Sequence, residues 1–379
     1  MNKNILYIYG GLYSPNGMSA IISQKINYLA DNTDNEMYIV LTEHPERPWF
    51  YRLSDKVHVK YLEVNFDDLD TMPFYKKVFC YFYKVRRFKR LLIDYMMDLR
   101  PDVTVSITRR EINFINQISD GSKKIAEIHF TRSFYRQFKQ KCFPEFINQW
   151  ISHIWMNSLI KNLKLLNKFV VLTEEDSHNW PELDNVMVIP NFVSYMPEKK
   201  SNGKKKRAIS AGRYDYVKGF DLLIEAWTIV SQRHPDWCLD IYGPGNNKAY
   251  QELADRKGVS DCLHCNSSVI NLFDLYADSS IYVLSSRSEG FGLVLFEALG
   301  TGLPVVSFAC PCGPRDIIEN GVNGLLAENG NVQDLAEKIC YMIEHDEERQ
   351  QMGRNAVSSV LRFQKDIVMK KWIDLFDSL

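Results

Sequence analysis

Arg213 and Lys218 stand five residues apart in Ala211-Gly212-Arg213-Tyr214-Asp215-Tyr216-Val217-Lys218-Gly219, directly after a short apolar run. A permanently charged guanidinium and an ammonium beside glycines at the mouth of a strand suit a diphosphate, or else they are solvated cations on a surface turn. Glu289 and Glu297 stand eight residues apart in a second segment, Ser285-Ser286-Arg287-Ser288-Glu289-Gly290-Phe291-Gly292-Leu293-Val294-Leu295-Phe296-Glu297-Ala298. Glu289 falls in a glycine-bracketed turn that sugar hydroxyls can reach. Glu297 falls about one turn into an apolar helix, where a carboxylate is costly unless it accepts hydrogen bonds from two vicinal hydroxyls or pairs with a buried partner. The start of that helix, with the amides of Gly290, Phe291, Gly292 and Leu293, is a cradle for anionic oxygens. A third turn, Gly10-Gly11-Leu12-Tyr13-Ser14-Pro15-Asn16-Gly17, follows the first apolar run and brings backbone close to a ligand or serves structure alone. It lacks the G-x-G-x-x-G of dinucleotide binders.

Such groups act only when strands and helices hold them at one edge. Short β-rich runs alternate with helical periods: Ile5 to Tyr9, Ala20 to Ala30, Met37 to Leu41, Val103 to Ile107, Lys124 to Ile128, then Lys168 to Thr173 and Val186 to Asn191. After Pro197 and the basic run Lys204 to Arg207, the rhythm restarts with Ala208 to Gly212, Phe220 to Arg233, Cys238 to Tyr242, Ile281 to Leu284 and Pro304 to Phe308. The reading is α/β, two successive doubly wound Rossmann-like domains. The first covers 1–193, a basic connector 194–207, and the second 208–361. A C-terminal helix from about 362 to 379 serves as a cap.

At 379 residues the chain exceeds one ordinary core, so two domains are expected. A formal net charge of -1 with 25% charged residues excludes a disordered or nucleic-acid-coating protein. The eight cysteines, Cys142 among them, are scattered, and reduced thiols in the cytosol are expected. The apolar run Ile5 to Tyr9 is too short for a signal peptide, and no run of about 18 apolar residues predicts a bilayer span.

Arg213, Lys218-Gly219, Glu289-Gly290-Phe291-Gly292 and Glu297, in that order, resemble the donor-binding motifs of glycosyltransferase family 4. The likeness extends through Ile189-Pro190-Asn191, Tyr242-Gly243-Pro244-Gly245 and the segment Gly313 to Leu326, and more loosely through the first turn and Glu127-Ile128-His129. The resemblance implies a GT-B fold, two Rossmann-like domains facing across a cleft, and a retaining, metal-independent transfer with no cofactor. It implies that Arg213 and Lys218 bind the donor diphosphate, Glu297 the ribose and Glu289 the transferred sugar. Gly243 and the amides from Gly290 to Leu293 complete the donor site, His129 stands near the donor sugar, and Gly17 faces phosphate. The chain departs from the family at Asn16-Gly17, Ala309 and Ser267. A UDP-sugar donor and a glycan acceptor carried on a polyprenyl diphosphate are expected, as in capsule, lipopolysaccharide or exopolysaccharide synthesis.

Other constellations are weighed beside these. Asp68-Leu69-Asp70 matches the D-x-D of metal-dependent transferases without closing a clear strand, and Cys262-x-x-Cys265 and Cys310-x-Cys312 each lack a second pair for zinc. No metal site is expected. Seven cations between Lys76 and Arg90, mixed with aromatics and free of acids, suit an anionic membrane surface or form a solvated helix face. The expected location is the cytoplasm, peripheral to the inner face of its membrane. Rival readings are a nucleotide-sugar epimerase or phosphorylase on the same fold, and a non-catalytic donor-binding subunit.

Overall fold

A computed structural model describes residues 2–136, 138 and 143–379. The chain divides into two compact units, the first comprising 1–172, 177–190 and 366–379, the second 173–176 and 191–365.

In the first unit the strands are β1 (Asn4–Tyr9), β2 (Glu36–Leu41), β3 (Val57–Tyr61), β4 (Val103–Ser106), β5 (Lys123–Glu127), β6 (Lys168–Val171) and β7 (Val186–Val188). They form one sheet in the order β3-β2-β1-β4-β5-β6-β7, every pair parallel. Helix α1 (Gly17–Asn32) joins β1 to β2, α2 (Phe74–Leu99) joins β3 to β4, and α3 (Glu145–Leu163) joins β5 to β6. A short α4 (Glu174–His178) follows β6, with residues 174–176 belonging to the second unit. Parallel strands with helices on their faces are buried on both sides, which is why β1 reads as an unbroken apolar run with five of its six residues buried.

The second unit repeats the plan: β8 (Arg207–Ala211), α5 (Phe220–Arg233), β9 (Cys238–Gly243), α6 (Asn247–Arg256), β10 (Leu263–Ser267), α7 (Phe273–Ala277), β11 (Ile281–Leu284), α8 (Leu293–Gly300), β12 (Val305–Phe308), α9 (Pro314–Ile317) and β13 (Gly324–Ala327). Its parallel sheet runs β10-β9-β8-β11-β12-β13. Helices α10 (Val332–Glu344) and α11 (Asp346–Ser359) follow, and α12 (Lys365–Ser378) belongs, from Asp366 on, to the first unit. In each sheet the strand order reverses beside the first strand, between β1 and β4 and between β8 and β11. That reversal opens a crevice at the carboxyl ends of those strands, where doubly wound sheets take ligands.

The boundary differs from the one read in the sequence. Residues 194–207 are not a free connector. Lys200 Nζ donates to the Gly300 carbonyl at 2.7 Å and the Ser201 amide to the Thr301 carbonyl at 2.8 Å, satisfying carbonyls that the end of α8 leaves open. Arg207 already lies in β8, and the second unit's long stretch begins at Asn191. The cap helix starts at Lys365, since Gln364 still bridges to Val193 within the second unit. Among the described residues no helix is long and apolar enough to cross a membrane. Seven cysteines are free thiols, and Cys142 lies outside the described residues.

Candidate functional site

The turns after β8 and β11 meet at the second unit's strand-order reversal and are stitched together. Arg287 makes most of the stitch: its amide donates to the Val217 carbonyl at 2.8 Å, and its guanidinium donates to the Tyr216 carbonyl at 2.7 Å. The same guanidinium grips Asp221 through two parallel bonds of 2.8 and 2.6 Å. Ser285 Oγ adds a bond to the Lys218 carbonyl at 3.0 Å. Gly219 permits this approach with φ +63°; a Cβ there would stand 2.1 Å from the Ser285 carbonyl oxygen. On the other flank, a Cβ on Gly243 would stand 1.7 Å from the Gly212 carbonyl oxygen, so the β9 end backs directly onto the β8 turn.

Within this frame Lys218 Nζ lies 2.7 Å from Glu289 Oε1, and Ser286 Oγ donates to the same oxygen at 2.6 Å. Both partners are largely buried, and the lysine stem passes over Gly212. Asp215 caps the short turn by accepting from the Lys218 amide at 3.1 Å and sits 3.2 Å from the guanidinium of Arg213, which is otherwise 74% exposed. The ammonium is thus held by a carboxylate and keeps donors for a second anion, and the exposed guanidinium, paired with Asp215, likewise keeps donors to spare.

Glu289, Gly290, Phe291, Gly292 and Leu293 lead into α8. The Phe291 ring is buried against Phe296 and Phe363, so this residue offers a ligand its backbone alone. Gly292 caps α8 with φ +92° and no side chain caps that end. Gly313, at φ +103°, brings a third turn against the Phe291 carbonyl. Four residues into α8, Glu297 keeps part of its surface while its carboxyl is enclosed by protein. Burial pushes that carboxyl up to about 7, and the Tyr276 hydroxyl, donating at 3.3 Å, pulls back a little. Arg213, Lys218, Gly243, Glu289 to Leu293 and Glu297 therefore share one edge of one sheet.

Gly17 and His129 belong to the first unit. Gly17 is the exposed first residue of α1, whose start is partly satisfied by Asn16 Oδ1 accepting from the Ser19 amide at 2.8 Å. His129 follows β5 with its ring almost buried, Nε2 3.1 Å from Glu127 Oε1. Lys25 Nζ pairs with the same carboxylate oxygen and lies 3.9 Å above the Trp372 ring. Burial pushes the Glu127 carboxyl up, and Lys25 and His129 pull harder the other way, holding it at about 2.

The sequence reading missed the residues that hold the site: Asp215, Asp221, Tyr276, Ser286 and Arg287 in the second unit, Lys25 and Glu127 in the first. A signal existed for most of them, since Asp215, Ser286 and Arg287 lie inside the two motifs, Glu127 two residues before His129 and Asp221 two residues beyond Gly219; Tyr276 and Lys25 had none. The D-x-D carboxylates are taken by cations: Asp68 meets Lys84 at 2.9 Å and His44 at 2.8 Å, and Asp70 meets Lys77 at 3.1 Å. Among the described residues no three His, Cys, Asp or Glu side chains gather as a metal site.

Residues 193–358 match the family described as glycosyl transferases group 1. An uncharacterized glycosyltransferase of Haemophilus influenzae is 32% identical over 192 residues, 49% of this chain and 54% of its own length. The poly(ribitol-phosphate) alpha-N-acetylglucosaminyltransferase of Staphylococcus aureus is 29% identical over 225 residues, 58% of this chain and 46% of its own. This chain thus spans about half the length of these curated relatives. The crystal structure of TarM superposes over 99% of both chains with a TM-score of 0.77 at 16% identity, and a mutant TarM of S. aureus was solved with Fondaparinux, alpha-GlcNAc-glycerol and UDP. The chain therefore has the GT-B fold, two parallel-sheet Rossmann-like units, and over residues 193–358 it is similar to the glycosyl transferases group 1.

Proposed function

We propose that this protein is a retaining glycosyltransferase that moves a hexose or N-acetylhexosamine from a UDP-sugar to a glycan acceptor carried on a polyprenyl diphosphate. On this reading the second unit binds the donor and the first the acceptor, at the cytoplasmic face of a membrane. The observation that carries it is the pairing of Lys218 with Glu289 across two stitched turns, beside an exposed Arg213 and an uncapped helix start. Lys218 and Arg213 take the diphosphate, Glu297 takes the ribose hydroxyls, and Glu289 keeps one oxygen for the transferred sugar. The family match over the second unit and the UDP in the TarM complex support the donor class.

Transfer breaks the bond from the anomeric carbon to the phosphate oxygen, and the electron pair leaves with the diphosphate. The acceptor hydroxyl oxygen bonds to that carbon on the same face, and its proton passes to the departing phosphate oxygen. Arg213, Lys218 and the amides at the start of α8 stabilise the growing negative charge, which is catalysis by preorganised dipoles and cations. With two cations on the leaving group, no metal and no cofactor is required.

The test is calorimetric titration with UDP, GDP, ADP and dTDP, in EDTA and in magnesium, of the protein and of Arg213→Ala. UDP is expected to bind in EDTA and at least tenfold more weakly to the variant. Binding of no nucleotide, or binding in magnesium alone, would overturn the reading.

A further inference from the structure

Two helices of the first unit are much longer than the strands they connect. At about 1.5 Å per residue, the 26 residues of α2 reach about 39 Å and the 19 of α3 about 28 Å. Strands of four to six residues reach roughly 13–20 Å. The fully buried positions lie in the C-terminal halves: Phe88, Leu92 and Met96 of α2 and Leu159 and Leu163 of α3 share one apolar cluster. That cluster places both helices on the same face of the sheet, as right-handed crossovers in the same direction require. A crossover helix runs back against its strands, so both N-terminal halves overhang the same edge, the carboxyl edge.

Those overhanging halves pack on one side only, through Cys80, Tyr81 and Val85 of α2 and Asn148 of α3, and leave their other side exposed. On α2, Tyr75, Phe79 and Phe82 follow the i, i+4, i+7 spacing of one helix face, and Phe79 is 80% exposed. On α3, Phe146, Trp150 and Ile154 follow i, i+4, i+8, and Trp150 is 64% exposed. Around the α2 aromatics, Lys76, Arg86, Arg87 and Arg90 are exposed, and none forms an ion pair with a carboxylate among the described residues. Exposed rings in that number mark an interaction surface. Aromatics flanked by uncompensated cations match an anionic lipid interface, each cation near it contributing about 1 kcal/mol. A second copy of the chain fits poorly, because a two-fold contact would set the four cations of α2 against their own images.

We propose that the first unit seats its carboxyl edge on an anionic bilayer through the overhanging halves of α2 and α3. Phe79, Phe82, Phe146 and Trp150 enter the interface, and Lys76 and Arg86, with Arg87 beside it at the middle of α2, meet the headgroups. The ligand-binding edge of the sheet is then held at the membrane. Resting on the glycosyltransferase reading, the acceptor is one anchored in that bilayer, its sugar presented at the headgroup level.

Flotation of the full chain with vesicles tests this. Pure phosphatidylcholine is compared with phosphatidylcholine carrying one third phosphatidylglycerol, at low and high salt. The protein is expected to float with the anionic vesicles, at least tenfold more than with the neutral ones, and less at high salt. Arg86→Gln with Arg87→Gln should remove the anionic preference, and Phe146→Ser with Trp150→Ser should reduce binding several-fold. All these positions are exposed, so melting temperatures should not move. Brominated lipid should quench the tryptophan emission of the parent protein and quench Trp150→Phe much less. No flotation of the parent protein, or flotation unchanged in both double variants, would overturn the proposal. So would a doubled mass in solution that Trp150→Ser abolishes, since the stripe would then be a self-contact. Vesicle binding needs no nucleotide, so a lipid result and a failed UDP titration are separable outcomes.

Discussion

Glu297 stands where its protonated form is favoured. Its carboxyl moves from an ordinary 4.5 to about 7 on folding, because burial disfavours the charge. Between those two values the folded state holds the proton and the unfolded state does not, so stability falls as pH rises through that window. Above neutrality the ionised group costs about 1–3 kcal/mol, discounted for its remaining exposure. Glu297→Gln should therefore raise the melting temperature at pH 8 and change it little at pH 5. The same substitution should weaken UDP binding at pH 8 by tenfold or more, since a charged acceptor for two ribose hydroxyls is lost. A variant that melts lower at pH 8, or binds UDP as tightly as its parent, would remove Glu297 from the donor site. The type and spacing of this carboxylate were legible in the sequence. What encloses it was not: Tyr276 lies in a separate helix, α7, and nothing in its own neighbourhood marks it as a partner.

At the scale of elements, the two turns of the site depend on one close approach. Ala at position 219 would take a left-handed φ costing about 1–2 kcal/mol and would also press its Cβ on the Ser285 carbonyl oxygen, 2.1 Å away. Gly258 separates these effects, having φ +73° and nothing within 4 Å of a built Cβ. Gly258→Ala should cost about 1 kcal/mol in denaturant unfolding and leave UDP affinity alone. Gly219→Ala should cost clearly more and abolish the affinity; equal effects would show that the stitch from Arg287 tolerates the gap. The glycine and cation pattern of these turns could be read from the chain because it is local. The strands that escaped reading are β3, β10 and β13, and all three are sheet edges. An edge strand is flanked on one side only and tolerates polar residues: β3 reads Val-His-Val-Lys-Tyr and β10 Leu-His-Cys-Asn-Ser. Central strands such as β1 and β11, covered on both faces, leave an apolar run that betrays them. The segment before β8 was misread for the converse reason: four consecutive basic residues look solvated, and its tethers are backbone carbonyls of α8, which composition does not reveal.

Over the whole molecule, the chain builds one doubly wound unit, then a second, and then returns its last helix to the first. The return is fastened by chemistry rather than by apolar contact alone. Trp372 of α12 is buried, Lys25 of α1 lies over its ring, and Lys25 pairs with Glu127 at the end of β5, 102 residues away in sequence. Lys3 Nζ also donates to the Phe376 carbonyl. Removing one partner of a buried pair leaves a charge without compensation, which costs about 3–5 kcal/mol. Because the Glu127 carboxyl lies at about 2 in the folded chain, the stability it contributes is present above the ordinary carboxylate range. It is lost as pH falls from about 4.5 toward 2. Glu127→Gln should destabilise the protein at pH 7 and flatten that acid limb. Trp372→Ala should cost a similar 3–5 kcal/mol through the lost ring. In a chain of two units a single melting temperature blends separate events, so the measurement is hydrogen exchange read strand by strand. Protection should fall in β1, β5 and α1 and hold in β8 and β11. Equal loss in both sheets would mean that α12 stabilises the second unit as much as the first, and that the ion pair beneath His129 is not what anchors the end of the chain.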